Sequence, residues 1–507
     1  MKIQFKTDYC KMKKLCIVFL ISFFCSCISF GQGFNHQWLL GSGNWANQGR
    51  MFFDTTSYVY QIENRKMQFN GTEGNICDSN GNFLMSSNGV WIANANNDTM
   101  MNGTGLNPGY LVNSWSDGLP VTNGNIVLPY PGDSTKFVLF HQTESDPDYP
   151  SNQLYYSIID ITLDSGLGGV ISKNDTIIQD TLSWGIGACK HANGRDWWIV
   201  MMKDSTNIIY KILLSDSGFA AITTQSLNYS PKAYGNVAQL TFSPDGTKFI
   251  TTTYNNPNQK KSRLIICDFD RCTGIFSNTV NKKLIEGDYL WGLAFSPSGK
   301  KIYACSNNYI FQVDADSFTV DTVATYDGFI SGWPPNCCAT TFWNMYLAAN
   351  GKIYVTSGSS TQHIHVINFP DSAGLACNVQ QHAISLGIWN FRSVPNHPNY
   401  YLGRLQGSPC DTLQWSGLEE PEHDFHFRLY PNPISNNTLN IGYLLPQNKS
   451  GTFQIYDITG KIVFKYNLPL WSNEQSLKLP QLANGIYSAS IISDNKRVSK
   501  ILAIMNE

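Results

Sequence analysis

The chain has 507 residues, enough for two or three domains and a large buried core. Only 14% are charged and the formal net charge is -2, so it has no basic footprint for nucleic acid or for an anionic membrane surface. Aromatic residues make up 13%, a mixture that suits short strands and tight turns better than solvated helices.

In chain order, the first element reads as a secretory signal over residues 1–31. Lys11, Lys13 and Lys14 precede an apolar run from Leu15 to Phe24. Ser29-Phe30-Gly31 then supplies small residues for a signal peptidase, placing the cut near Gln32. Met12 is an alternative start, because the signal is complete without the first eleven residues. The competing readings are a membrane anchor, for which ten apolar residues are too few, and lipidation at Cys25 or Cys27, whose preceding residues match a lipid-attachment motif poorly.

Beyond the signal nine cysteines remain: Cys77, Cys189, Cys267, Cys272, Cys305, Cys337, Cys338, Cys377 and Cys410. Export permits disulfides, and Cys267/Cys272 and Cys377/Cys410 are the pairs to test first. The odd total leaves at least one thiol free or paired elsewhere. No C-x-x-C spacing occurs among them and the vicinal Cys337-Cys338 is a poor chelate, which argues against a zinc site.

From residue 32 to 407 one turn recurs: a polar turn carrying Gly or Asn, followed by an apolar strand. Its glycines fall at 81, 132, 194, 246, 299 and 351, in steps of 51, 62, 52, 53 and 52. A degenerate seventh copy, Pro398-Asn399-Tyr400-Tyr401-Leu402, follows about one period later. Self-similarity at this spacing marks a repeat architecture. Each unit holds several strands and no convincing helix, as in a four-stranded propeller blade. The glycine supplies the left-handed position that a tight reversal between strands requires. Seven turns predict a seven-bladed β-propeller, with six to eight blades inside the range the spacing allows. Residues 50–69 are expected to complete the last blade and close the ring, removing exposed strand edges. Leu240-Thr241-Phe242-Ser243-Pro244-Asp245-Gly246 and Leu293-Ala294-Phe295-Ser296-Pro297-Ser298-Gly299 resemble the propeller repeats of the WD-like and TolB-like families. That resemblance implies a fold and no activity.

Candidate chemistry is sparse. Lys190-His191-Ala192-Asn193-Gly194-Arg195-Asp196-Trp197-Trp198 is the densest polar and aromatic cluster. His191 and Asp196 would either face a ligand at the channel mouth or brace a turn, the second being the simpler reading. His363 and His365 lie two apart on a strand, so they would face one side and share a metal if a third ligand joined them. Asp78-Ser79-Asn80-Gly81-Asn82 begins like a calcium loop, lacks the later acidic ligand, and is explained by turn formation. Asp268-Phe269-Asp270-Arg271 offers two carboxylates, for which a surface ion pair with Arg271 is the economical account. No nucleophile elbow or phosphate loop is found. Trp91, Trp115, Trp184, Trp197, Trp198, Trp291, Trp333 and Trp343 either fill the spaces between blades or line a groove for a glycan or peptide. No cofactor or metal is expected.

Residues 408–426 read as a polar, acidic linker. From 427 to 507, strand-length apolar runs predict a seven-stranded, Ig-like β-sandwich. Three motifs stand out: Tyr430-Pro431-Asn432-Pro433, then Ile455-Tyr456-Asp457-Ile458-Thr459-Gly460-Lys461, then Leu482-Ala483-Asn484-Gly485-Ile486-Tyr487. In this order the segment resembles the C-terminal sorting domain of the type IX secretion system of Bacteroidetes, an ordinary accessory sandwich being the alternative. The resemblance implies export, outer-membrane translocation by the type IX machinery, and removal of the domain with attachment or release at the surface. The chain departs from many relatives in ending Ile504-Met505-Asn506-Glu507 without a basic residue, which puts the efficiency of processing in doubt. The expectation is therefore a secreted or cell-surface propeller that binds a glycan, peptide or protein. A hydrolase or lyase acting from the channel face is the rival.

Overall fold

The computed structural model describes residues 33–505, except 44–46, 54–56, 145–150, 230–238, 256–260, 332–336, 393, 406, 412–425, 435–436, 446–448, 471, 473 and 495. The expected signal and Trp333 lie outside the described residues.

Strands dominate, and six sheets precede the tail: residues 37–64, 74–182, 187–226, 241–282, 292–325 and 342–391. The first has three strands, the second eight and the rest four each. The eight-stranded sheet is two antiparallel runs of four, joined where Met101 and Gly169 pair in parallel. The four-stranded repeat read from the sequence is therefore present in this β-rich, propeller-like region. Its 62-residue step corresponds to the long hairpin strands Ser151–Asp160 and Gly169–Leu182, whose pairing is interrupted by register shifts.

First strands are short, apolar and buried, as in Gly292–Phe295, whereas last strands such as Val320–Thr325 are largely exposed. Runs without alternation are buried on both faces. Neighbouring units accordingly meet through their first strands. Each of the six predicted turn glycines has a φ between +72° and +82°, and in the turn at Gly246 its N–H donates to the Ser243 carbonyl at 2.8 Å.

Two expectations about closure are corrected. Residues 50–69 do not complete the last sheet. Strands Asn47–Phe53 and Tyr58–Asn64 pair with Gln37–Leu40, a first strand of their own, and sheet 342–391 has four strands without them. The first and last of the six sheets meet by face packing instead. Trp38 packs edge-on against Tyr354 at 5.4 Å between ring centroids, and Tyr60 donates its hydroxyl hydrogen to the Leu386 carbonyl at 2.6 Å. Nor is Pro398–Leu402 a seventh hairpin turn, since none of the described residues from 403 to 411 is in a strand.

Residues 394–405 and 407–411 instead form a strap along the first strands. Asn396 donates to the Ile186 carbonyl (2.7 Å), His397 to Asn75 (2.8 Å), Tyr400 to Val127 (2.8 Å) and Asn399 to Pro244 (2.7 Å). A disulfide joins Cys272 to Cys410, and a second links Cys337 to Cys338. Neither pair put first from the sequence forms, because Cys267 and Cys377 are free thiols. Cys267 is completely buried in the sheet core.

The tail has seven strands in two sheets, three and four strong, as its apolar runs predict. They enclose a core of their own that includes Phe427, Leu439, Phe453, Ile455 and Leu502.

Alanine substitutions separate the cost of the glycine turn from that of crowding. A Cβ on Gly299 has no neighbour closer than 3.7 Å, so Gly299→Ala carries only the left-handed penalty of about 1–2 kcal/mol. A Cβ on Gly194 collides with the Arg404 backbone in the strap. Gly194→Ala is expected to lower the denaturation midpoint clearly more than Gly299→Ala, and equal shifts would contradict the strap's position.

Candidate functional site

The strap occupies part of the space between the first strands, and a cavity of about 530 Å³ remains beside it. Its walls come from first strands (Trp38, Phe242, Leu293, Phe295, Met345) and the adjoining Leu240, from strap residues 395–399, 401 and 402, and from tail residues 450–452 and 467–470. Among the described residues that line it there is no Asp, Glu, Lys or Arg. Burial pushes the Cys189 thiol up to about 12 and the His397 imidazole down to about 4. It also raises the Tyr346 and Tyr401 phenols well above their ordinary value. None of these four carries a charge near neutrality.

The residues singled out from the sequence do not converge there. His191 is buried in its turn: Nδ1 accepts the Asn193 N–H at 3.2 Å and Nε2 donates to the Cys272 carbonyl at 3.0 Å. Asp196 accepts from Arg195 Nε at 2.7 Å and from Asn193 Nδ2 at 2.8 Å. The two residues share a turn, linked by the His191 N–H donating to the Asp196 carbonyl at 2.8 Å, and their hydrogen bonds go to the fold.

His363 and His365 sit on Ser360–Ile367 in a different sheet. His363 Nδ1 lies 2.8 Å from Ser331 Oγ, and His365 Nδ1 accepts the His382 N–H at 2.9 Å. Burial pushes His365 down to about 4. Among the described residues no group of three or more His, Cys, Asp and Glu is placed to hold a metal ion. Asp78 accepts the N–H groups of Asn80 and Asn82 at 2.8 and 2.9 Å, closing its own turn.

The surface ion pair expected at Arg271 is corrected. Arg271 is buried and donates to the carbonyls of Lys190 (2.9 Å), His191 (3.1 Å) and Gly403. Asp268 pairs with Lys248 at 3.0 Å instead. The run Leu264–Phe269 sits in a strand of buried and half-buried residues, and chain reversal at 270–274 turns Arg271 inward.

Tryptophans divide by role. Trp197 donates to Pro129 (3.1 Å) and Trp198 to Arg271 (2.8 Å), bridging neighbouring sheets. Trp291 stacks on Trp343 at 4.0 Å, and the Arg392 guanidinium lies 5.0 Å over Trp343.

Sequence reasoning missed Glu73. Its carboxyl is fully buried with no hydrogen-bond partner, and burial raises its pKa well above the ordinary 4.5, opposed by nearby Arg65. Composition carries no signal for such a residue, since an isolated Glu before a short strand reads as solvated.

In the tail, the motif residues build turns and one strand junction. Asn432 Nδ2 donates to the Ile501 carbonyl at 2.9 Å and Asn432 Oδ1 accepts the Ala503 N–H at 2.9 Å, so its amide substitutes for strand pairing. Its neighbours Tyr430-Pro431 and Asn432-Pro433 are cis peptide bonds. Asp457 Oδ1 accepts the N–H groups of Thr459 and Lys461, and Gly460 takes the left-handed position at φ +84°. Lys461 is exposed. Gly485 opens the strand Gly485–Ser493, in which Tyr487 donates to the Ala483 carbonyl at 2.9 Å.

Residues 428–505 match the family described as secretion system C-terminal sorting domain. The tail is therefore a type IX sorting domain, and it directs the chain to a secreted or cell-surface location through the type IX machinery. No curated protein matches the chain. Among solved structures it is similar to a nidogen/laminin complex at 10% identity, covering 66% of this chain and 89% of that one with a TM-score of 0.31. The extracellular domain of a hybrid two component system of B. thetaiotaomicron matches at 8% identity, covering 95% and 57%, with a TM-score of 0.35. A structural genomics protein of unknown function from Bacteroides thetaiotaomicron VPI-5482 matches at 12% identity, covering 52% and 65%, with a TM-score of 0.26. At these scores the structural likenesses carry no argument about chemistry.

Glu73 makes stability depend on pH. Its folded pKa lies above the unfolded value, so its contribution is complete below about pH 4.5 and is lost as pH rises toward the folded value. Glu73→Gln is expected to leave stability nearly unchanged at about pH 4 and to raise it increasingly toward pH 8. Denaturant melts of both proteins across that range check this, and parallel curves would refute a buried neutral carboxyl.

Proposed function

We propose that residues 33–411 form a seven-bladed propeller acting as a non-catalytic binding module, exported behind a signal over residues 1–31. Seven four- or three-stranded units support the blade count when the eight-stranded sheet is taken as two. The observation that carries the binding reading is the cavity lining without a single Asp, Glu, Lys or Arg among its described residues. Hydrolysis of a glycoside needs two carboxyl groups flanking the bond, and peptide hydrolysis needs an activated nucleophile or water beside a base. A charge-free, largely apolar lining suits reversible binding better. His191, Asp196, His363 and His365 are then structural, being engaged in turn and strand contacts.

Export is tested together with the role of Asn432. Asn432→Ala removes two hydrogen bonds that hold the start of the tail to its last strand, and is expected to destabilise the tail by about 1–3 kcal/mol. Mass spectrometry of medium, surface and cell fractions should find wild type outside the cell, lacking residues 1–31, and the variant exported less. Uncleaved wild-type protein confined to the cytoplasm would refute the proposal.

A further inference from the structure

We infer that the axial cavity is a binding site for an uncharged ligand with a largely apolar body, and that the tail domain closes its mouth. The inference rests on the non-catalytic reading above and extends it to ligand class and access.

The cavity's size, about 530 Å³, is that of sites for drug-sized molecules, roughly 300–1,000 Å³. Leu240, Phe242, Leu293, Phe295 and Met345 give it an apolar wall. A formally charged ligand would lose its hydration there and meet no opposite charge, a penalty of several kcal/mol on the scale of buried ions. An uncharged ligand escapes that penalty and gains by burying apolar area.

At one end of the cavity the protein's own hydrogen bonds tie its walls together. Gln239 Oε1 accepts the Leu293 N–H at 3.0 Å and the Met345 N–H at 3.2 Å, while Nε2 donates to the Met345 carbonyl at 2.5 Å. These bonds join the first strands of two units to the segment before a third. The other end lies at the repeat turns, where Pro244, Pro297 and Gly351 line it. Gly451, Leu468 and Leu470 of the tail line the same cavity. Among the described residues no hydrophobic core cluster contains residues from both sides of the linker, so each body has its own core. Separating them therefore opens the mouth while both remain folded.

The test compares the intact chain with the same chain cut at a protease site placed within 412–425 and freed of its tail. The probes are Nile red, which is uncharged, and the anion 8-anilinonaphthalene-1-sulfonate, which is of similar size. The cut chain should bind Nile red at least tenfold more tightly than the intact chain and show no comparable gain for the anion. Thr241→Trp, which fills the cavity from its wall, should abolish that gain, and Ala188→Leu gives the same reading if the larger residue prevents folding. Equal binding by intact and cut chains overturns the closure and leaves the cavity standing. Absence of Nile red binding in both forms, or binding unchanged by either variant, overturns the site. Turnover of a glycan or peptide by the cut chain overturns the non-catalytic reading instead.

Discussion

A buried guanidinium holds the centre of the larger body together. Arg271 forms no ion pair within 4.0 Å among the described residues, although the Asp245 carboxylate acts on it from further off, and it donates to the carbonyls of Lys190, His191 and Gly403. Its own carbonyl accepts from the Ala192 N–H at 3.0 Å and from the Trp198 indole at 2.8 Å. One residue thus fixes the 241–282 sheet to the 187–226 sheet and both to the strap. Burying a charge costs less when its hydrogens meet carbonyls, as those on Nε and Nη2 do here, and removing one acceptor leaves a desolvated donor. The disulfide between Cys272 and Cys410 acts one residue away, so the same corner is secured covalently. The strap's path, and with it the shape of the axial cavity, depends on this corner.

Much of the fold was legible because the physics behind it is local. Glycines at 81, 132, 194, 246, 299 and 351 recur because each reversal needs a left-handed residue, and every one has the positive φ that the spacing implied. Strand runs such as Ile302–Cys305 are apolar throughout because they are buried on both faces. Closure was illegible for the opposite reason. Gln37–Leu40 is only four residues long, so its strand character was invisible until pairing with Asn47–Phe53 revealed it. Pro398-Asn399-Tyr400 copies the turn composition, yet its polar side chains bond to carbonyls of two other units rather than to its own backbone alone. The disulfide failed from sequence likewise, since partners 138 residues apart meet only once the sheets between them have packed.

Candidate chemistry was legible mainly as something to set aside. The clusters at His191 and Asp196 and at Asp78 had turn formation available as an explanation, and these residues spend their hydrogen bonds on turns, whereas the surface ion pair expected at Arg271 did not form. The low charge content has a physical counterpart in a cavity lined by aromatic, aliphatic and amide groups. The tail's motifs follow the same logic. Asn432, Asp457 and Gly460 shape its backbone, while Ile458 beside them is 90% exposed.

The strap's position along the first strands is the central structural claim, and disulfide mapping tests it most directly. Non-reducing proteolysis and mass spectrometry of the exported protein should yield a peptide pair cross-linked through Cys272 and Cys410, with Cys267 and Cys377 recovered as thiols. Cross-links joining Cys267 to Cys272, or Cys377 to Cys410, would place the strap elsewhere and contradict the account.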